Sequence, residues 1–216
     1  MKNSSRLLAV AMCAAFGSGI AQATVINGGF ETGDLTGWTP SLSGGAAMVV
    51  TSNSTTYGGA ITYLPPEGSY FLAIMSGSAN VWQTVTQSLA LAAGETIGGL
   101  AAFDWGDYPS YYDGARVRIL DAAGAQIAEP FYLDGAGHPS GYNGPWTAWD
   151  FTSLAAGTYT VEYAARNTLD GSGLDQTFGY FDATHATQAV PEPASLALLG
   201  IGLAGLGAMR RRKPMA

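Results

Sequence analysis

The densest run of chemistry-bearing side chains is Asp104-Trp105-Gly106-Asp107-Tyr108-Pro109-Ser110-Tyr111-Tyr112-Asp113-Gly114, with three aspartates and four aromatic rings. Sugars lay their apolar faces on aromatic rings, and carboxylates accept hydrogen bonds from hydroxyls. Trp105, Asp107, Tyr108, Tyr111, Tyr112 and Asp113 are therefore a candidate ligand-binding set, with Tyr142, Trp146 and Trp149 as a second aromatic segment. The competing reading, which is favoured, puts Trp105, Trp146 and Trp149 in the core and the tyrosines over a sheet edge.

Little else points to catalysis. The two histidines are His138, before Pro139 in a glycine-rich loop, and His185, near the C-terminal segment. Neither has a serine context resembling a nucleophile elbow. A zinc site needs a His or Cys cluster, and Cys13 is the single cysteine. Asp170-Gly171-Ser172-Gly173-Leu174-Asp175 lacks the spacing of a helix-loop-helix calcium loop. Acidic residues are plentiful enough for glycoside hydrolysis, but no strand carries closely alternating Glu and Asp. The expectation is a protein that is not an enzyme.

Charge narrows the partners. Between residues 24 and 189 stand three basic residues, Arg116, Arg118 and Arg166, against fifteen acidic ones, a net charge of about −12. That field repels nucleic acid and attracts cations.

The elements that must position these residues read as strands. Helical periodicity is absent, and short apolar or alternating runs are separated by glycine-rich turns. Tyr159, Val161 and Tyr163 share one face, opposite Thr158, Thr160 and Glu162. Val117 and Ile119 alternate with Arg116 and Arg118, which puts those arginines toward water. Further strands are expected over 46–52, 69–75, 81–88, 96–104, 126–133, 146–151 and 177–183. Pro65-Pro66-Glu67-Gly68 is a break that no strand crosses. Nine or ten strands over residues 24–189 give an all-β, two-sheet antiparallel sandwich of jelly-roll type. A seven-stranded immunoglobulin-like sandwich is the alternative, without its usual cysteine pair.

Both termini differ from this domain. Lys2 and Arg6 precede an apolar run to Ile20, followed by Ala21-Gln22-Ala23. This predicts a signal helix over residues 1–23, moved by the Sec translocon and removed by signal peptidase after Ala23, with Ala21 and Ala23 as the small residues read at the cut. Met12 before Cys13 argues against a lipoprotein. The mature chain then has no thiol. Residues 190–213 read Val190-Pro191-Glu192-Pro193, sixteen uncharged residues, then Arg210-Arg211-Arg212-Lys213. As a helix, the sixteen span about 24 Å, short of a full hydrocarbon core. The terminal cations belong on the cytoplasmic side, so the β-domain lies outside.

This tail resembles the PEP-CTERM sorting signal of Gram-negative bacteria, which combines the Val-Pro-Glu-Pro motif, a glycine-rich apolar span and an arginine cluster. The resemblance implies recognition by an exosortase, with Val190, Pro191, Glu192 and Pro193 as the motif and Arg210, Arg211 and Arg212 as the stop. Cleavage would release the domain to the cell surface or extracellular matrix; a retained membrane anchor is the alternative. The segment from Val25 through Asn27-Gly28-Gly29-Phe30-Glu31 to Gly37-Trp38, with Trp82-Gln83-Thr84-Val85, residues 99–105 and Gly179-Tyr180-Phe181-Asp182, resembles the jelly roll of bacterial carbohydrate-binding modules. That resemblance implies a structural calcium between the first and last strands, held by Glu31 and Asp182 with Asn27 as a weaker ligand. The usual second aspartate is here Ala183. Together these imply a non-catalytic exported protein associated with exopolysaccharide. The alternatives are a structural envelope or biofilm component and, less favoured, a glycoside hydrolase.

Overall fold

The computed structural model describes residues 24–55, 61–170 and 176–187. The signal segment with Ala21 and Ala23, the motif at 190–193, the arginines at 210–212 and both flanking helices expected from sequence lie outside the described residues. Among the described residues there is no helix, and so none long and apolar enough to cross a membrane.

The strands are β1 (Thr39–Ser41), β2 (Ala46–Val50), β3 (Asn53–Ser54), β4 (Thr62–Tyr63), β5 (Phe71–Met75), β6 (Trp82–Leu91), β7 (Thr96–Asp104), β8 (Gly114–Leu120), β9 (Gln126–Asp134), β10 (Thr147–Thr152), β11 (Gly157–Arg166) and β12 (Phe178–Thr187). They form two five-stranded sheets, ordered β1-β6-β11-β8-β9 and β10-β7-β12-β5-β2, and a separate β3-β4 pair. Every pairing is antiparallel. This is the expected two-sheet sandwich. It has more strands than the sequence suggested, because β1, β3 and β4 are two or three residues long and carry no legible period.

Burial follows side-chain chemistry. Along β6, Gln83, Val85, Gln87, Leu89 and Leu91 are buried, and the residues between them are more exposed. In the second sheet, β5 reads Phe-Leu-Ala-Ile and is buried on both faces, as a continuous apolar run should be. Its inner residues Leu72 and Ile74 join a core with Phe30, Trp38, Phe103, Val117, Ile119, Tyr163 and Phe181. Its outer residues Phe71 and Ala73 pack with Tyr63, Ala102, Phe178 and Tyr180 in a second cluster, which Tyr63 of the β3-β4 pair helps to cover.

The two arginines of β8 depart from expectation. They do stand on the outer face of the first sheet, but they are largely covered, at 12% and 23% side-chain exposure. Glu162 of β11 explains this. It accepts from Arg116 at 3.3 Å and from Arg118 Nε at 2.8 Å, while the Arg116 guanidinium lies 3.8 Å from the Trp82 ring centre. An ion pair and a stacking surface remove them from water without uncompensated charge.

The edges of the first sheet are β1 and β9, and each contains a proline, Pro40 and Pro130.

Candidate functional site

The chain from Val25 to Trp38 closes on itself before it reaches the sheets. Asn27 and Phe30 adopt positive φ (50° and 57°). The Asn27 carbonyl accepts from Trp38 Nε1 at 3.1 Å, and its side-chain amide donates to the Asp34 carbonyl at 2.9 Å. Asn27 Oδ1 accepts from Thr32 N at 3.2 Å, so this amide is committed to its own turn. Gly28 lies against β12: its carbonyl accepts from Thr184 N at 2.9 Å, and a Cβ there would stand 1.9 Å from the Thr184 oxygen.

That docking brings Glu31 and Asp182 to either side of Gly29, whose Cβ position lies 3.6 Å from Glu31 Cγ and 3.7 Å from Asp182 Oδ1. The Glu31 carboxylate accepts from Ser69 N and Tyr70 N at 3.0 Å, which ties in the loop after Pro65-Pro66. Asp182 is wholly buried; Oδ1 accepts from Ala183 N at 2.7 Å, and Oδ2 is buried with no hydrogen-bond partner. Burial, with the charges of Glu31 and Glu67 added, pushes the Asp182 carboxyl up to about 7. A buried carboxylate repelled by the charges of Glu31 and Glu67 is the kind of group that a hard cation would relieve. Among the described residues no set of three or more His, Cys, Asp or Glu side chains is clustered for a metal.

The aromatic loop splits in two. Trp105 is fully buried, its Nε1 donating to the Tyr111 carbonyl at 2.9 Å, and Gly135 packs so closely that a Cβ would stand 2.3 Å from the indole. Asp107 is buried, with Oδ1 accepting from Tyr108 N at 2.7 Å. Asp113 is fully buried; it accepts from Thr168 N at 2.7 Å and from the Thr177 hydroxyl. Burial lifts Asp113 to about 7 against those hydrogen bonds. These three residues offer a ligand no surface. Tyr108 and Tyr112 are exposed, at 45% and 40%, and Tyr111 packs edge-on to Tyr108. In the second aromatic segment, Trp149 is a core residue, Trp146 packs edge-on against Phe71, and Tyr142 stacks on His138 at 3.8 Å.

Two features escaped sequence reasoning. One is a cleft of about 270 Å³ on the outer side of β10-β7-β12, lined by Thr96, Gly98, Leu100, Ala148, Asp150 and His185, with Glu67 at its margin. The paired glycines Gly98-Gly99 inside β7 were its signal, since glycine within a strand marks a close approach. The other is Asp104. It is buried beneath the second aromatic cluster, where it accepts from the Tyr180 hydroxyl at 3.1 Å, and burial raises it to about 7. Asn53 of β3 donates in turn to the Tyr180 oxygen at 2.8 Å.

Residues 189–213 match the family model described as the PEP-CTERM protein-sorting motif. No curated protein matches the chain. Among solved structures, the chain is similar to the carbohydrate-binding module TmCBM61 in complex with beta-1,4-galactotriose, at 16% identity and TM-score 0.48, covering 76% of this chain and 97% of that one. It is similar to the K3 cleaved adhesin domain of Lys-gingipain from Porphyromonas gingivalis, at 16% identity and TM-score 0.45, covering 76% and 99%. It is also similar to the CBM22-1 xylan-binding domain of Paenibacillus barcinonensis Xyn10C, at 13% identity and TM-score 0.36, covering 76% and 90%. No activity is carried over from them. The chain is thus an all-β sandwich followed by a PEP-CTERM sorting motif.

Proposed function

We propose that this is an exported, non-catalytic surface or matrix protein of a Gram-negative bacterium that associates with exopolysaccharide. In this reading the Sec translocon and signal peptidase process residues 1–23, an exosortase acts on residues 190–213, and the sandwich of residues 24–189 is the working part. The sorting motif at 189–213 carries the proposal, because a sorting address fixes where a domain is delivered. Mass spectrometry of the delivered protein is expected to find a start at Thr24 and an end near Pro191–Pro193. Recovery from cytosol with both ends intact overturns the reading. Retention on the host's exopolysaccharide tests the ligand; failure to bind any polysaccharide overturns it.

Calcium belongs to the same proposal. Glu31 and Asp182 would hold it, with Asn27 contributing no more than its turn. Bound calcium would neutralise the buried Asp182 charge and tie the N-terminal segment to β12.

One observation favours a purely structural envelope or biofilm component instead: Trp105, Asp107 and Asp113 are all spent inside the fold. Normal cell aggregation in a strain whose protein carries Tyr108→Ala and Tyr112→Ala, set against loss of aggregation in a deletion strain, supports that alternative. A glycoside hydrolase would need two carboxyl groups across one cleft. Glu67 and Asp150 are the pair to substitute should any polysaccharide be degraded.

A further inference from the structure

The three cationic side chains between residues 24 and 189 emerge on one surface, the outer face of the first sheet. Strand register sets their order. Trp82, Arg166, Gly114 and Asp134 form one row across β6, β11, β8 and β9, and Thr84, Ala164, Arg116 and Tyr132 form the next. Gly114 has no side chain, so the Trp82 ring reaches across to within 3.4 Å of its Cβ position. Ala164 leaves a low floor between Thr84 and Arg116. Tyr132 is 43% exposed beside Arg116, its hydroxyl donating to Asp134 Oδ2 at 2.8 Å.

The cations are not equally engaged. Glu162 binds Arg116 and Arg118. Arg166 lies 4.7 Å from the Trp82 ring centre and makes no ion pair or hydrogen bond with any described residue, and its Nε is buried without a partner. A guanidinium is a rigid fork matched to a carboxylate, and here the fork stands unclaimed beside an aromatic platform. Three acids share or border this face: Glu162 between Arg116 and Arg118, Glu129, whose charge acts on Arg116, and Asp134, which stands in the Arg166 row and accepts from Tyr132. Three arginines against these three acids leave this face about neutral, whereas the other twelve acids of residues 24–189 have no cation among them, so this is the face that repels an anionic chain least.

Resting on the polysaccharide reading above, we propose that the outer face of the first sheet, centred on Arg166 and Trp82, binds the carboxylate groups of an acidic, uronate-bearing polysaccharide. The Arg166 fork takes the carboxylate, and the exposed Tyr132 ring meets the apolar face of a neighbouring sugar.

The protein, expressed from its full-length gene and purified as the cell delivers it, is tested on polygalacturonate, on its methyl ester, on neutral galactan and on phosphatidylglycerol vesicles. Retention on polygalacturonate is expected, lost on methyl esterification and weakened by added salt. Arg166→Gln is expected to lower the affinity about tenfold without lowering the melting temperature. Should that variant fail to fold, the ester and salt comparisons decide. Retention on galactan or on the host's exopolysaccharide but not on polygalacturonate overturns this assignment and leaves the polysaccharide reading standing; retention on none of the three defeats both. Binding to the vesicles in place of polyuronate, or unchanged affinity of Arg166→Gln, also overturns it.

Discussion

Asp113 and Tyr112 are neighbours in sequence with opposite fates, and substituting each separates scaffold from surface. Asp113→Ala strips the acceptor from Thr168 N and the Thr177 hydroxyl at a site closed to water. It is expected to cost roughly 2–4 kcal/mol, measured by denaturant titration. Tyr112→Ala should cost less, about 1 kcal/mol, since its ring is partly exposed and no buried hydrogen bond is lost with it. If Tyr112 meets sugar, polysaccharide retention falls in this variant alone. Asp182 answers a different question. Asp182→Asn keeps an oxygen for Ala183 N and removes the buried charge. In chelator at pH 8 it should melt higher than the native protein, and added calcium should no longer raise its melting temperature. An unaltered calcium response in this variant would exclude Asp182 as a ligand.

At the scale of elements, β12 sets the site. Its register shifts between Asp182 and His185, and Ala183 there has φ of 54°, a region that glycine, asparagine and aspartate enter more easily than alanine. Ala183→Gly should therefore stabilise by about 0.5–1 kcal/mol, read as a rise in melting temperature. Gly28→Ala should do the reverse by several kcal/mol, on the order of an overpacked core, because its Cβ would collide with the Thr184 carbonyl. Much of this architecture was legible beforehand. β7 covers the span that its apolar run between turns predicted, and β6, β11 and β12 overran theirs by a few residues. The convergence of Glu31 and Asp182 was legible only through resemblance, since no local pattern reports which distant segments meet. The burial of Asp107 and Asp113 was not legible. For Asp113 the donors are Thr168 and Thr177, more than fifty residues on, which no local pattern in the loop announces. The unpaired state of Arg166 was equally hidden, because alternation places a side chain on a face without saying which neighbours are already taken.

For the molecule as a whole, three buried aspartates make stability depend on pH. Asp104, Asp113 and Asp182 are each raised from 3.8 to about 7, chiefly by burial. The folded chain thus holds protons that the unfolded chain releases above 3.8. Stability falls as pH climbs from about 4 to 7, and the full cost is present above 7. In chelator the melting temperature should be higher at pH 5 than at pH 8, with calcium narrowing the gap; a higher melting temperature at pH 8 without metal would contradict these shifts. The prolines on the rims of the first sheet have a consequence for how copies of the chain can meet. Pro40 and Pro130 have no amide hydrogen to offer an incoming chain, so neither margin can template the growth of a neighbour's sheet. Molecules concentrated side by side would stay discrete beads rather than fuse into fibrils along those margins.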